Sequence, residues 1–444
     1  MERIRGGNRT VREICGKQKQ DPGAGYRYST YSLAVPCEEG TLLYHTLTGE
    51  LVFLPQGTPT EEEREQLIAS RFLVPEDSDD RAYAEKVLKI AGMLRPPVRH
   101  KTSFTILTTT DCNARCFYCY EIGIRRIPMT EETARAAAAY IRQASGGEPV
   151  FLRWFGGEPL YNRRVIDIIC GDLREHGAEY ESGMVSNGYY LDGETAAHAV
   201  RDWHLRKVQI TIDGTEKLYN RTKAYIGADE NPYLRVMDNI RHATEAGIRV
   251  TVRLNMDAGN AEDLCVLADD LAERFPGHAN LDVYIALIQE FAGKIHRYES
   301  WEETEKKYSA ILERLKAYGL LRIKPLPEAP KLSRCMADDD ASEIILPDGR
   351  TGRCEHFSEE MITGDIRDLH RDEEVTRRYK APLDVPECGS CVLFPICRKL
   401  QMCVWNQNSC AEVDRHIAVR ELTERVQAIY NEHKNGGEKH EAEE

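Results

Sequence analysis

No run of about 18 or more apolar residues occurs in this chain, which excludes an ordinary membrane-spanning helix. The N-terminus also lacks the apolar core of a secretory signal. The expectation is a cytoplasmic protein with no membrane partner. Positive charge is scarce as well: 59 Lys and Arg stand against 73 Asp and Glu, a formal net charge of -14. Nucleic acids and anionic membranes are held through clustered cations, so this balance argues against a nucleic-acid partner. With 41% hydrophobic and 30% charged residues the composition is that of a globular protein, and 444 residues suggest about three structural units.

Cysteine, by contrast, is abundant. Of 14 cysteines, ten fall in two dense groups, at 112–119 and 335–410. A small secreted domain would use such residues for disulfides, whereas tight grouping in a long chain points to metal or cluster ligation. Cys15, Cys37, Cys170 and Cys265 lie outside both groups and read as ordinary buried thiols.

Residues 1–25 carry six basic residues and several glycines without an amphipathic period, so they read as a mobile arm or an expression leftover. Residues 26–98 read as a small winged-helix-like module. It has a strand pair around LLYHTLTGELVFL turning at Thr-Gly, then an acidic helix EEEREQLI and a second helix near 80–94. Across 99–300, apolar runs of strand length alternate with helical stretches, the pattern of a parallel α/β sheet. The expected strands are 103–109, 150–154, 180–186, 207–212, 248–255 and 281–288, enough for an incomplete barrel. A connecting helix is expected within 301–334, a metal-dependent cysteine-rich domain at 335–425, and a solvated acidic tail at 426–444.

Cys112, Cys116 and Cys119 follow the first barrel strand within eight residues. A zinc site wants a fourth Cys or His close by, whereas an iron–sulfur cube can be held by three thiolates with one iron left open. Loops at the C-terminal ends of barrel strands are where sites are built. A catalytic cluster is the first reading and a structural zinc loop the second.

The spacing C-x3-C-x2-C, with Tyr118 just before the third cysteine, resembles the radical S-adenosylmethionine (SAM) enzymes, and the resemblance extends over 103–290. It implies a partial (β/α)6 TIM barrel and a [4Fe–4S] cluster whose open iron binds the amino and carboxylate groups of SAM. Reduction of that cluster cleaves SAM to a 5′-deoxyadenosyl radical. Gly156-Gly157-Glu158-Pro159 resembles the family motif that meets the methionine amino group. Ser186-Asn187-Gly188 resembles the strand end near the ribose and carboxylate, and Arg253 with Asn255 resembles later contacts to SAM. Asp213, closing the strand that starts at Gln209, resembles an acidic residue facing substrate and is the candidate catalytic base.

The second group opens as Cys335-x13-Gly349-x4-Cys354 and continues with Cys388, Cys391, Cys397, Cys403 and Cys410. This arrangement resembles the SPASM extension, which usually holds two auxiliary [4Fe–4S] clusters. Cys397 and Cys403 are separated by five residues where that family commonly has three. Carried over, the family ligation gives Cys388, Cys391, Cys397 and Cys410 to an outer cluster and Cys335, Cys354 and Cys403 to an inner one. The inner cluster is then one protein thiolate short and open to a substrate cysteine. Two zinc ions in a ribbon-like domain are the alternative.

The 26–98 module is similar to the leader-recognition elements of enzymes that mature ribosomally made peptides, where an extended leader pairs with a sheet edge. The strand at 49–54 is the candidate edge. Together these resemblances imply a maturase using three [4Fe–4S] clusters and SAM. It abstracts a hydrogen from a leader-bearing precursor peptide, forms an intrapeptide crosslink, foremost a Cys-derived thioether, and draws electrons from a flavodoxin or ferredoxin. The alternatives are a sulfatase-maturase-like formylglycine-forming oxidase, a carbon–carbon or ether crosslinking maturase, and a non-catalytic zinc-stabilised peptide binder.

Overall fold

The computed structural model describes the chain except residues 22, 24, 229–230, 278, 289–299, 322–323, 333–334, 357–358, 381–384, 398–409, 411 and 442–444. The chain forms two compact units: Met1–Pro97 with Ile323–Cys335 and Lys380–Glu444, and Val98–Arg322 with Met336–Tyr379. Among the described residues no helix is long and apolar enough to cross a membrane.

The first unit begins with strand β1 (Glu2–Gly6), helix α1 (Arg9–Cys15), and strands β2 (Tyr26–Tyr28), β3 (Ser32–Cys37), β4 (Gly40–His45) and β5 (Glu50–Pro55). Helix α2 (Glu61–Ala69), strand β6 (Leu73–Pro75) and helix α3 (Asp80–Met93) follow. The sheet order is β1-β5-β4-β3, and β2 pairs with β6. Thr60 and Glu63 form a reciprocal capping box that starts α2 where the acidic run begins. Residues 1–16, expected as a mobile arm, form β1 and α1 instead. The reason is non-local: β1 finds its partner on β5, some fifty residues on. The expected free edge at 49–54 is therefore interior, flanked by β1 and β4.

The second unit is built on six parallel strands: β7 (Ser103–Thr109), β8 (Val150–Gly156), β9 (Tyr180–Ser186), β10 (Leu205–Ile212), β11 (Arg249–Met256) and β12 (Leu281–Leu287). Helices α4 (Glu131–Ser145), α5 (Arg163–Glu175), α6 (Gly193–Asp202), α7 (Glu216–Lys223), α8 (Pro232–Glu245) and α9 (Ala261–Arg274) intervene, and α10 (Trp301–Ala317) follows. The expected strands and their order are borne out. Alternation explains the arrangement: Leu152, Trp154, Val208, Ile210, Val250 and Val252 are buried on one face of the sheet, while Gln209, Thr211, Arg253 and Tyr284 are only partly covered on the other. Helix α4 starts at Thr130, whose side chain accepts from Thr133 N–H, and stops at Gly146 with φ +58°.

Four short strands extend the same sheet: β13 (Ser342–Ile345), parallel to β7, then β14 (Arg350–Gly352), β15 (Ile362–Asp365) and β16 (Asp368–Arg371) in antiparallel sequence. Helix α11 (Glu373–Lys380) follows, then α12 (Phe394–Cys397) and α13 (Glu412–Glu441). The last two lie in the first unit, where Leu393, Ile396, Leu422, Val426 and Tyr430 share a core with Val35, Leu42, Tyr44 and Leu51. The region expected as one cysteine-rich domain thus divides between the units near residue 380. The tail expected to be solvated from 426 begins instead inside α13, because Leu422, Val426 and Tyr430 recur every fourth residue on one helical face.

Candidate functional site

The loop after β7 is pinched shut at its base. Thr110 Oγ1 donates to Arg125 O at 2.7 Å and accepts from Ile127 N–H at 2.7 Å, while Met129 N–H donates to Thr108 O at 2.9 Å. Within this closed loop Cys112, Cys116 and Cys119 are partly buried, and Cys119 N–H donates to Cys116 O at 3.2 Å. The end of β8 is its floor. A Cβ on Gly156, whose φ is +112°, would come 2.1 Å from Thr109 O, and one on Gly157 would come 2.3 Å from Asp111 O. Gly157 and Glu158 N–H donate to those two carbonyls at 3.0 and 2.9 Å. The paired glycines therefore let the cysteine loop pass directly over the strand end.

Glu158, matched to a contact with the SAM amino group, turns its carboxylate into the protein. It is 0% exposed and accepts from Leu160 N–H at 3.1 Å, Ser186 Oγ–H at 2.8 Å and Asn187 N–H at 2.8 Å. Burial pushes its carboxyl up to about 7 against the pull of these donors. The side chain ties the end of β8 to the end of β9, and the backbone of the motif faces the cysteine loop. Asn187 continues the link: its side-chain amide donates to Asn113 Oδ1 at 2.7 Å and lies 3.7 Å from Cys112 Sγ.

Tyr118, Asp213 and Asn255 come together, joined by Lys223, which the sequence reading did not single out. Tyr118 O–H lies 2.8 Å from both Asp213 carboxylate oxygens, Asn255 Nδ2 donates to Oδ1 at 3.0 Å, and Lys223 Nζ is 3.0 Å from Oδ2 and from the Tyr118 oxygen. The Lys223 and Asp213 side chains are 3% and 2% exposed. Burial works against the Lys223 charge, but Asp213, Tyr118 and Cys116 hold its ammonium well above the ordinary lysine range. Arg253 Nε donates to Asn255 Oδ1 at 2.8 Å, so one chain of contacts runs from β11 to the cysteine loop. The backbone after α7 braces that loop too, since Arg115 N–H donates to Lys223 O at 2.7 Å and Ile226 N–H to Asn113 O at 2.8 Å. A lysine in the last turn of a polar helix looks like a solvated helix end, so no sequence signal marked Lys223.

The thiols of the loop are close enough to feel one another. Burial pushes Cys112 up to about 12 and Cys119 up to about 11, with neighbouring cysteines adding to each. Burial raises Cys116 as well, while Lys223 pulls it down. Among the described residues no three His, Cys, Asp or Glu side chains gather tightly enough for a single metal ion. A four-iron cube binds each thiolate through a different iron, so three thiols carried on one closed loop over a glycine floor suit it.

Of the second cysteine group, Cys354 lies in the barrel unit, where it packs against Ala337, Met361, Val375 and Tyr379. The His356 ring stands 4.1 Å from that of Tyr120, next to Cys119 in the loop. Cys388, Cys391, Cys397 and Cys410 lie in the first unit, and the other three reinforce the effect of burial on Cys410, which is pushed up to about 12. Cys335 is exposed and belongs to that unit; Cys403 lies outside the described residues.

Comparison with known proteins gives a consistent picture. Residues 106–271 match the Radical SAM superfamily. The chain is 26% identical over 160 residues to the GTP 3′,8-cyclase of Erythrobacter litoralis (strain HTCC2594), a match covering 34% of this chain and 45% of that enzyme. A probable GTP 3′,8-cyclase of Methanosarcina mazei is 23% identical over 282 residues, covering 62% and 78%. The chain thus spans a little under half the length of the first of these relatives. Among solved structures, native anSMEcpe with bound AdoMet and Cp18Cys peptide aligns at a TM-score of 0.54 and 14% identity, covering 76% of this chain and 99% of that one. Streptococcus suis SuiB bound to precursor peptide SuiA aligns at 0.52 and 13%, covering 88% and 99%. At these identities the likeness is one of fold. Cysteine loop, parallel sheet and family match agree: the barrel is a radical SAM domain, which implies a [4Fe–4S] cluster and SAM, in a chain that shares the fold of anSMEcpe and SuiB.

Proposed function

We propose that this chain is a cytoplasmic radical SAM maturase that takes a hydrogen atom from a residue of a ribosomally made precursor peptide and closes an intrapeptide crosslink, with a Cys-derived thioether as the product. The observation that carries this reading is the closed loop of Cys112, Cys116 and Cys119 above the Gly156–Gly157 floor. The gathering of Cys388, Cys391, Cys397 and Cys410 in the other unit adds to it, as does the likeness in fold to two structures that hold peptides.

When bound, a [4Fe–4S] cluster on the three loop cysteines with SAM supplies a 5′-deoxyadenosyl radical, and auxiliary clusters on the second cysteine group supply electron acceptors. The peptide loses two hydrogens: one leaves carbon as an atom and ends on 5′-deoxyadenosine, and the other leaves the thiol as a proton. The remaining electron would go to an acceptor, the role that clusters held by the second cysteine group would supply, and a donor of flavodoxin or ferredoxin type would furnish the electron consumed in cleaving SAM. Ser186 and Asn187 at the end of β9, and Arg253 and Asn255 in the last half of β11, are the residues we assign to SAM. Asp213, spent on Tyr118, Asn255 and Lys223, holds Tyr118 and the loop in place more readily than it takes a substrate proton.

The test is incubation of the anaerobically reconstituted chain with SAM, dithionite and the precursor peptide encoded nearest its gene. Peptide mass and 5′-deoxyadenosine are followed, with GTP as the control because the curated relatives are named for it. Loss of two hydrogens per crosslink supports the reading. Consumption of GTP with an unchanged peptide overturns it in favour of a nucleotide substrate.

A further inference from the structure

The four-stranded sheet of the first unit has two ends. At one, β3 carries Pro36, whose missing N–H interrupts the row of donors an added strand needs. At the other, β5 offers a regular edge, and the chain's own β1 fills it antiparallel, with Glu2 opposite Phe53 and Gly6 opposite Glu50. Gly7 turns the chain at φ +70°, where a Cβ would lie 2.4 Å from Thr48 O. Asn8 N–H donates to that carbonyl at 2.7 Å and the Asn8 side chain caps α1. Helix α1 then places Val11, 3% exposed, against Leu47 and against Ala84, Val87 and Leu88 of α3. Residues 1–16 occupy a seat made of a strand edge and a helix face, as a separate peptide would.

Against the anchors that Arg5 makes to Leu326 O and Glu328, and Tyr83 to Cys15 O, three features favour exchange of that occupant. The pairing of β1 is short and its register breaks between Arg3 and Arg5. The charge at the centre of the seat, Glu50, has a side chain 2% exposed and is met from residues 1–16 by Arg3 Nε at 2.8 Å and Arg12 Nε at 3.9 Å. Both partners are arginines of the segment itself, so a basic residue on an incoming strand would meet the same carboxylate. Finally, residues 17–25 (KQKQDPGAG) contain no large apolar side chain and reach about 30 Å when extended.

We propose that residues 1–16 are the resident occupant of the leader seat, and that a precursor leader enters by displacing them and presenting its own basic residue to Glu50. The leader half of this statement rests on the maturase reading; the seat does not. The test uses the full chain with a protease site inserted between Gly16 and Lys17. After cutting, a fluorescein-labelled synthetic peptide of residues 1–16 is added and its anisotropy followed.

A tethered segment competes at roughly millimolar effective concentration, so the cut chain is expected to bind the probe at least about tenfold more tightly than the uncut chain. A probe carrying Arg3→Glu and Arg12→Glu is expected to bind at least about tenfold more weakly, because it faces Glu50 with like charge. Retention of the cut fragment with no exchange, or unfolding of the first unit on cutting, would show residues 1–16 to be a fixed part of the fold and overturn the proposal. Equal binding of both probes would remove Glu50 as the reader. Because the probe is the chain's own segment, these outcomes stand apart from any failure of SAM cleavage or peptide modification.

Discussion

Lys223→Met deletes a buried cation while keeping most of the side chain's apolar stem. The Asp213 carboxylate, 2% exposed, then keeps Tyr118 and Asn255 as its side-chain donors among the described residues. Breaking a buried ion pair from one side costs about 3–5 kcal/mol, because the charge left behind has neither water nor partner. Adding Asp213→Asn removes that stranded charge. The double variant is therefore expected to be less destabilised than the sum of the single losses, by about 2 kcal/mol or more.

Urea unfolding followed by tryptophan fluorescence reads this directly, since Trp154 and Trp203 are both 0% exposed in the barrel unit. With a slope of about 2–3 kcal/mol per molar urea, the Lys223→Met midpoint is expected to fall by about 1–2 M. A shift below about 0.2 M, or strict additivity of the two substitutions, would refute the claim that the pair is a buried, coupled brace of the cysteine loop.

Three further outcomes follow from the same geometry. Gly157→Ala places a methyl 2.3 Å from Asp111 O, so the loop must shift at a cost of about 1–3 kcal/mol; iron retained after anaerobic reconstitution should fall while circular dichroism stays near that of the parent. The Glu158 carboxyl is raised to about 7 in the folded chain, so its contribution is fully present below the ordinary glutamate range and is lost as pH rises through about 7. Glu158→Gln should flatten that part of the stability profile, worth about 3 kcal/mol, in unfolding measured between about pH 4.5 and 8. The thiols of Cys112 and Cys119 stand at about 12 and 11, and cluster ligation must release their protons. Iron uptake monitored by absorbance should therefore tighten as the buffer is raised from about pH 7 to 9.

The sequence was most informative where pattern is local. The strand SFTILTT and the cysteines after it were legible, because period, turn and ligand spacing all sit within twenty residues. Contacts across long stretches of chain were not. Nothing in MERIRG signals that it pairs with β5, and nothing in SEII that it lies beside β7 from some 240 residues away. The apolar face of α13 was hidden by the acidic residues around it, although Leu422, Val426 and Tyr430 recur every fourth residue. Glu158 was recognisable as part of a motif, but the direction of its carboxylate depends on Ser186 and Asn187 being presented by a neighbouring strand. Lys223 became visible only when folding placed it against Asp213 and Tyr118.

The central claim is that Cys112, Cys116 and Cys119 hold a cluster that cleaves SAM. Anaerobically reconstituted chain is incubated with SAM and dithionite, and 5′-deoxyadenosine is quantified beside iron and sulfide. 5′-Deoxyadenosine is expected from the parent chain and none from a folded Cys116→Ala variant. Undiminished formation by that variant, or a parent chain that takes up no iron and leaves SAM intact, would contradict it.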